Sequence, residues 1–327
     1  GKTIIFISHK LSEVTEAADE VTVLRDGKNV GTVDVDEVDG TELAEMMVGR
    51  EVLFETEKSP VETGSIGLAA RDLEVEDDRG VRAVDGVDLR IADGEVFGVA
   101  GVDGNGQSEL VEAITGLRTP VSGRVYLGDE DVTDAPRRRR IEDGMAYVPE
   151  DRQARGLVMS YDLTENGLLG SQRDQQFADG GRIRWGDAEE HAEEIVEEYD
   201  VRPADPDATA TSLSGGNQQK FIVGREFSRD PSAVVASHPT RGVDVGSVEF
   251  IHDRLLELRD EGAAVLLVSS KLDEVRSLSD RLGVMHDGEL VDVVDPAEVT
   301  EEQLGLLMAG EEPEDVPQAS RRNGGER

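Results

Sequence analysis

The eight residues Gly101-Val102-Asp103-Gly104-Asn105-Gly106-Gln107-Ser108 have the types and spacing to hold a phosphate. They follow the pattern G-x-x-x-x-G-K-[ST], except that Gln107 stands where lysine belongs. Glycines let successive backbone amides turn toward phosphate oxygens, and a following helix adds its positive N-terminus. An apolar strand pattern at 95–100 precedes the loop, and a helical pattern at 107–115 follows it. A plain glycine-rich turn is the bland alternative, and this flanking argues against it. Gln107 keeps a hydrogen-bond donor but loses the charge, forfeiting about 1.5–3 kcal/mol of charge-assisted bonding to the β- and γ-phosphates. Gly101, Gly104, Asn105, Gly106, Gln107 and Ser108 are the candidate nucleotide contacts, and the Ser108 hydroxyl is also a weak candidate ligand for Mg²⁺.

Three further positions could act on the same ligand. Leu213-Ser214-Gly215-Gly216-Asn217-Gln218-Gln219-Lys220 joins a hydroxyl, two small residues and a helix start, a combination that suits a γ-phosphate. Ser214 as a simple helix N-cap would explain part of this without any ligand. Val234-Val235-Ala236-Ser237-His238 reads as a buried strand ending in two polar side chains, with Asp244 beyond it. His238 could be a base, although no carboxylate beside it would hold a metal. His9 follows an apolar run at 4–7 that reads, with residues 1–3, as a buried strand.

The elements that must position these residues read as α/β. Strand patterns at 95–100, 144–148, 233–236 and 264–268 alternate with helical patterns such as 107–115 and 248–259. Such alternation implies a largely parallel sheet with its chemistry at the strand ends. The chain also repeats itself. Residues 1–51 match 262–312 at a constant offset of 261, as in Arg25-Asp26-Gly27 against His286-Asp287-Gly288 and Met47-Val48-Gly49 against Met308-Ala309-Gly310. Residues 1–49 are therefore expected to be the C-terminal remnant of a first domain copy, and 66–310 a second copy. Residues 50–65 read as a linker and 311–327 as a disordered polar tail. With no leading methionine and a strand at the first residues, the sequence reads as starting in mid-domain.

Composition narrows the function further. A formal charge of −38, from 72 acidic and 34 basic residues, repels nucleic acid over long range. The acids lie between periodic apolar segments rather than in one disordered block, a pattern suited to a halophilic, high-salt cytoplasm where repulsion is screened. Absence of cysteine excludes disulfides and thiol chemistry. No apolar run is long enough to span a bilayer. The run Arg137–Arg140 reads as a solvated helix face or loop rather than an anion site.

The phosphate loop, the LSGGNQQK sequence at 213–220 and the strand at 233–237 together resemble the ATP-binding cassette (ABC) proteins. The phrases Pro149-Glu150-Asp151-Arg152, Thr240-Arg241-Gly242-Val243-Asp244 and Leu306-Leu307-Met308-Ala309-Gly310 are similar to the fused ATPase subunits of simple-sugar and nucleoside importers, the nucleoside branch most of all. The resemblance covers nearly all of 1–310. It implies a P-loop NTPase fold with an antiparallel β subdomain and a helical subdomain bearing the signature. It assigns Ser214, Gly215, Gly216 and Asn217 to the signature, Asp244 to the D-loop, and His9 to the switch position that contacts the γ-phosphate. It also marks Glu150, Ser237, His238 and Ser270 as departures, standing where the family keeps the Q-loop glutamine, the Mg²⁺ aspartate, the catalytic glutamate and the switch histidine. No adenine-stacking aromatic occurs in 76–83.

ABC domains pair head to tail, so the resemblance implies that this signature and His9 complete one composite site. The replaced residues fall on the other. Its further implications are ATP and Mg²⁺ as cofactors and two membrane-spanning permease subunits as partners. An extracellular solute-binding lipoprotein would act indirectly, the missing first ABC domain would complete the ATPase, and no nucleic acid would be bound. The location implied is peripheral, on the cytoplasmic face of the membrane. A non-hydrolysing regulatory nucleotide-binding module is the main alternative. A ribosome-acting tandem ATPase is disfavoured by the acidity and the short linker.

Overall fold

Runs such as Val234-Val235-Ala236 and Val265-Leu266-Leu267 show no polar alternation, so as strands they must be covered on both faces. The computed structural model describes residues 2–8, 11–25, 27–49, 58 and 63–311, and it buries these runs in that way. In chain order the elements begin with α1 (Leu11–Ala17), the antiparallel pair β1 (Glu20–Arg25) and β2 (Lys28–Asp34), and α2 (Gly40–Val48). Next come β3 (Ile66–Glu76), β4 (Arg82–Ala92), β5 (Val96–Gly101) and α3 (Gln107–Ile114). They are followed by β6 (Ser122–Leu127), β7 (Glu130–Asp131), α4 (Arg137–Glu142) and β8 (Met145–Val148). A mainly helical stretch holds α5 (Leu163–Gly167), the small hairpin β9 (Ala178–Asp179) and β10 (Arg182–Ile183), α6 (Trp185–Glu198) and α7 (Gly215–Phe227). The remaining elements are β11 (Ala233–Ser237), α8 (Val245–Asp260), β12 (Ala264–Val268), α9 (Leu272–Leu278), β13 (Arg281–His286), β14 (Glu289–Val294) and α10 (Glu301–Met308).

The main sheet has six strands in the order β14-β13-β5-β12-β11-β8, all parallel neighbours except β13 and β14. A second, antiparallel sheet runs β4-β3-β6-β7. Alternate side chains of β5 serve the two layers. Val96 and Ala100 join the core with Phe221, Ile251 and Val275 of the helices, while Phe97 and Val99 meet Leu89 of β4 and Leu110 of α3. Burial on both faces fixes the strand, and its carboxyl end opens into the glycine-rich loop. The protein is therefore α/β with a mostly parallel central sheet, an antiparallel β layer and a helical part that carries residues 213–220.

Two local expectations need correction. The helix expected at 248–259 starts three residues earlier, because Asp244 caps it: its carboxylate accepts from the Ser247 amide at 3.0 Å. The arginine run forms α4, and only Arg138 and Arg139 are exposed. Arg140 is 1% exposed and donates to the carbonyls of Ala113, Ala135 and Thr133, thereby capping the end of α3. Burial pushes its guanidinium down to about 10, which leaves it charged at neutral pH.

The sequence repeat is a repeat of structure among the described residues. α1, β1, β2 and α2 recur as α9, β13, β14 and α10 at the same offset. The capping box Asp39–Glu42 recurs as Thr300–Gln303. The left-handed Gly49 and Gly310 lie tight against Arg25 and His286, which are themselves counterparts. The surroundings differ, however. Met285 is fully buried where β13 pairs with β5, whereas its counterpart Leu24 is 67% exposed because β1 pairs only with β2 among the described strands. The buried strand expected at residues 1–7 is a correction of the same kind. Residues 2–7 are exposed and form no strand, since no described strand lies alongside to take their backbone hydrogen bonds.

Candidate functional site

The loop after β5 is held open by its glycines and tied together by its own side chains. Gly104 and Gly106 adopt φ of 96° and 98°, a region that disfavours side chains. A Cβ on Gly106 would fall 2.0 Å from the Ala83 carbonyl oxygen of β4, so the antiparallel sheet itself demands glycine there. Asn105 Nδ2 donates to Val102 O at 3.1 Å, and its Oδ1 accepts from the Asp287 amide at 2.9 Å, pinning the loop to the β13–β14 turn. Gln107 is the first residue of α3 and is 7% exposed. Its Nε2 also donates to Val102 O, at 3.1 Å, and it lies against Gly101, where a Cβ would collide with that nitrogen. Ser108 is exposed on the first turn of α3.

The neighbouring strand ends supply the other replaced positions. Ser237 ends β11 and is 4% exposed. His238 has φ 46°, donates its amide to Val268 O at 2.7 Å, and accepts at Nδ1 from the Ser270 amide at 3.4 Å. The structure thus brings His238 and Ser270 together beyond the ends of β11 and β12. Glu150, beyond β8, takes a hydrogen bond from Arg241, and Arg152 donates to Arg241 O at 2.8 Å and Gly242 O at 3.4 Å. His9 lies outside the described residues.

Ser214 is the exposed N-cap of α7, accepting from the Asn217 amide at 3.4 Å and from Asn217 Nδ2 at 2.9 Å. Gly216 packs against the start of α8: a Cβ there would sit 2.6 Å from both Asp244 Oδ2 and Ser247 Oγ. Gly215 lies against the Arg152 guanidinium, where a Cβ would come within 2.7 Å. The two glycines therefore let α7 begin close to the loops after β8 and β11. Its far end is fixed by Glu226, buried at 2% exposure, which accepts from Arg225 at 3.0 Å and from Arg229 at 3.1 Å. Burial alone would raise the Glu226 carboxyl, but Arg229, Arg225 and Arg137 outweigh it and hold it below the ordinary value.

Sequence reasoning also missed a second buried carboxylate, Glu274 at the start of α9. Burial would raise Glu274 too, but His252 at 2.9 Å, with Ser269 and Thr240, holds it below the ordinary value. Lys271 reaches Thr240 Oγ1 at 3.0 Å, so the loop after β11 is tied to the start of α9. One signal was present: Glu274 and Ser269 are the counterparts of Glu13 and Ser8, which bond at 2.7 Å. Arg152 was also missed, since nothing local links residues 152, 215 and 241.

The donor set around the phosphate loop does not fit Mg²⁺. This small, hard ion is held in proteins through one or two carboxylates together with substrate phosphates. The side chains that open α3 are Gln107 and Ser108, and those at or just after the ends of β11 and β12 are Ser237, His238, Ser269 and Ser270; none of these six is a carboxylate. The carboxylates beyond β8 and β11 are engaged elsewhere. Asp151 accepts from the Gln153 and Ala154 amides, Glu150 from Arg241, and Asp244 from Ser247. The one carboxylate on the loop itself is Asp103, which is exposed, and no carboxylate at the ends of β11 and β12 stands opposite the Ser108 hydroxyl.

Comparison with known proteins follows the same lines. Residues 84–241 match the family model described as ABC transporter. The chain is similar to the nucleoside import ATP-binding protein NupA of Lactococcus lactis subsp. cremoris, 45% identical over 95% of this chain and 61% of that protein. It is similar to the glucose import ATP-binding protein TsgD13 of Haloferax volcanii, 47% identical over 95% and 57%, and to the guanosine import ATP-binding protein NupO of Bacillus subtilis, 45% identical over 95% and 61%. Among solved structures, a nucleotide-free ATP-binding cassette from an ABC transporter superposes with a TM-score of 0.59 at 25% identity, covering 75% of this chain and 95% of that one. A dimeric cassette bound to ADP and Pi, at 22% identity over 70% of this chain and 98% of that one, shares the fold with a TM-score of 0.61. The chain spans about three fifths of the length of the curated relatives it matches.

Proposed function

We infer the function from one premise: this chain belongs to the ABC transporter ATP-binding proteins of the sugar and nucleoside import type. It acts as the ATP-binding subunit of an importer for nucleosides or simple sugars, serving two membrane-spanning permease subunits and, through them, an external solute-binding protein. No described helix is long and apolar enough to cross a membrane, in keeping with a peripheral subunit. Nucleosides come first because the connecting phrases are most similar to that branch, and two relatives at 45% identity are named for nucleoside and guanosine import.

Residues 66–310 form one nucleotide-binding domain, and residues 1–49 the end of another. The recurrence of α1, β1, β2 and α2 at a fixed offset supports this reading, as does the greater length of the relatives. The two copies close head to tail on ATP. The signature residues Ser214, Gly215, Gly216 and Asn217, with Asp244, complete the site of the first copy, to which His9 also belongs. That first site hydrolyses ATP with Mg²⁺, and the loop of residues 101–108 binds nucleotide weakly without turnover.

One observation carries this division. The start of α7 is intact and presents Ser214 to solvent, while the strand ends facing the loop of residues 101–108 hold Ser237 and His238 in place of carboxylates. A positioned acid or base contributes about 10²- to 10⁴-fold to such a step, so its loss silences a site without unfolding it. Uptake of labelled solutes tests the proposal. Cells lacking the gene should lose nucleoside uptake and keep sugar uptake, and the reverse result assigns the sugar branch. Unchanged uptake of both contradicts the importer reading.

A further inference from the structure

We propose that the phosphate loop of residues 101–108 takes its nucleotide as the metal-free polyphosphate. This rests on the reading above that the loop is a nucleotide site. What the loop offers is backbone amides, the N-terminus of α3 and the neutral donors Gln107 and Ser108. Such donors meet phosphate charge directly and ask for no cation. The ends of β11 and β12 present Ser237, His238, Ser269 and Ser270 rather than carboxylates, so no side chain at these strand ends anchors a metal beside the loop. Ser237 is the decisive position: it is buried at the end of β11, beside the turn in which His238 meets Ser270. The remaining carboxylates at this end, Glu150, Asp151 and Asp244, already accept hydrogen bonds from Arg241, from the Gln153 and Ala154 amides, and from Ser247. Asp103 is exposed on the loop itself, five residues before the Ser108 hydroxyl.

Substituting metal-binding carboxylates by serine and histidine thus changes what the site selects as well as its rate. A site that needs Mg²⁺ binds the Mg²⁺ complex and loses its ligand to a chelator. This one selects by phosphate geometry alone.

Titration calorimetry of the whole chain with ATP, once in excess Mg²⁺ and once in excess EDTA, tests the proposal. The two affinities should agree within about threefold, a difference well under the tenfold that corresponds to 1.4 kcal/mol. Ser237→Asp should restore a preference for Mg²⁺ of about tenfold or more, as a carboxylate partner does for metal affinity. Ser237→Asn, of similar size and without charge, should not; it separates the charge effect from any misfolding at this buried position. Affinity about tenfold tighter in Mg²⁺ for the unaltered chain overturns the proposal. If that preference vanishes in Asp103→Asn, the metal ligand is the loop carboxylate. No binding in either arm overturns the nucleotide-site reading itself, and the metal-free proposal with it.

Discussion

In a protein that joins this chain to a first domain copy, as proposed above, Ser214→Arg should lower ATP turnover at least about 100-fold, the scale on which a positioned transition-state donor acts. His238→Ala should change it less than about twofold, because a residue outside the working site supplies none of that stabilisation. The contrast follows from where each side chain points its chemistry. Ser214 is exposed at the start of α7, beside Gly215 and Gly216, and on the proposed reading a guanidinium there would fill the place of the γ-phosphate. The half-buried His238 imidazole accepts from the Ser270 amide, and the residue before it, where a metal-holding carboxylate would make a base useful, is Ser237. The loss on Ser214→Arg is separable from misfolding. The N-cap hydrogen bond contributes only about 0.5–2 kcal/mol, so the denaturation midpoint should move slightly while turnover collapses. Equal losses in both variants would mean that the two sites work together.

The second large effect concerns the rigidity of the same helix. Glu226→Gln should lower the unfolding free energy by about 3–5 kcal/mol, the cost of leaving a buried cation without its anion. Arg225 lies in the same buried pocket, bonded to Glu226 and to the Gly156 carbonyl at 2.8 Å, so it has no route to water. The Glu226 carboxyl also accepts from the Tyr147 amide, tying α7 to β8. Since the folded carboxyl is held below its ordinary value, the anion's contribution is fully present above the unfolded value of about 4.3 and is lost as pH falls through the folded value. The variant should therefore show a flatter acid limb in a pH–stability curve. Molar salt should leave the loss nearly intact, because buried pairs are little screened. Exposed pairs such as Arg138–Glu142 should fade instead.

How much of this was readable beforehand depends on the range of the interaction. The strands at 95–100, 233–236 and 264–268 were legible because full burial on both faces removes polar residues from the run itself. The loop glycines were legible because phosphate geometry is written in eight consecutive residues. The Asp244 cap was not read as one, although Asp followed by Ser247 three residues on is a local signal, and the helix start was misplaced by three positions. Arg140 was read as solvated because its neighbours are; nothing in Arg137–Arg140 says which one meets the end of α3. The Arg152 and Glu274 networks join segments tens of residues apart, so only the fold could reveal them. Residues 2–7 show the opposite failure. Their pattern is that of a buried strand, but a strand exists only beside another.

On the proposed reading, residues 66–310 have given up their hydrolytic chemistry while the signature at 213–217 has been kept. The direct test is Mg²⁺-ATP turnover by this 327-residue chain, purified in molar KCl. Weak binding and no turnover above background are expected, since the ends of β11 and β12 hold Ser237, His238, Ser269 and Ser270 in place of carboxylates. Clear turnover that disappears in His238→Ala would contradict that reading, for His238 would then be a working base at a competent site.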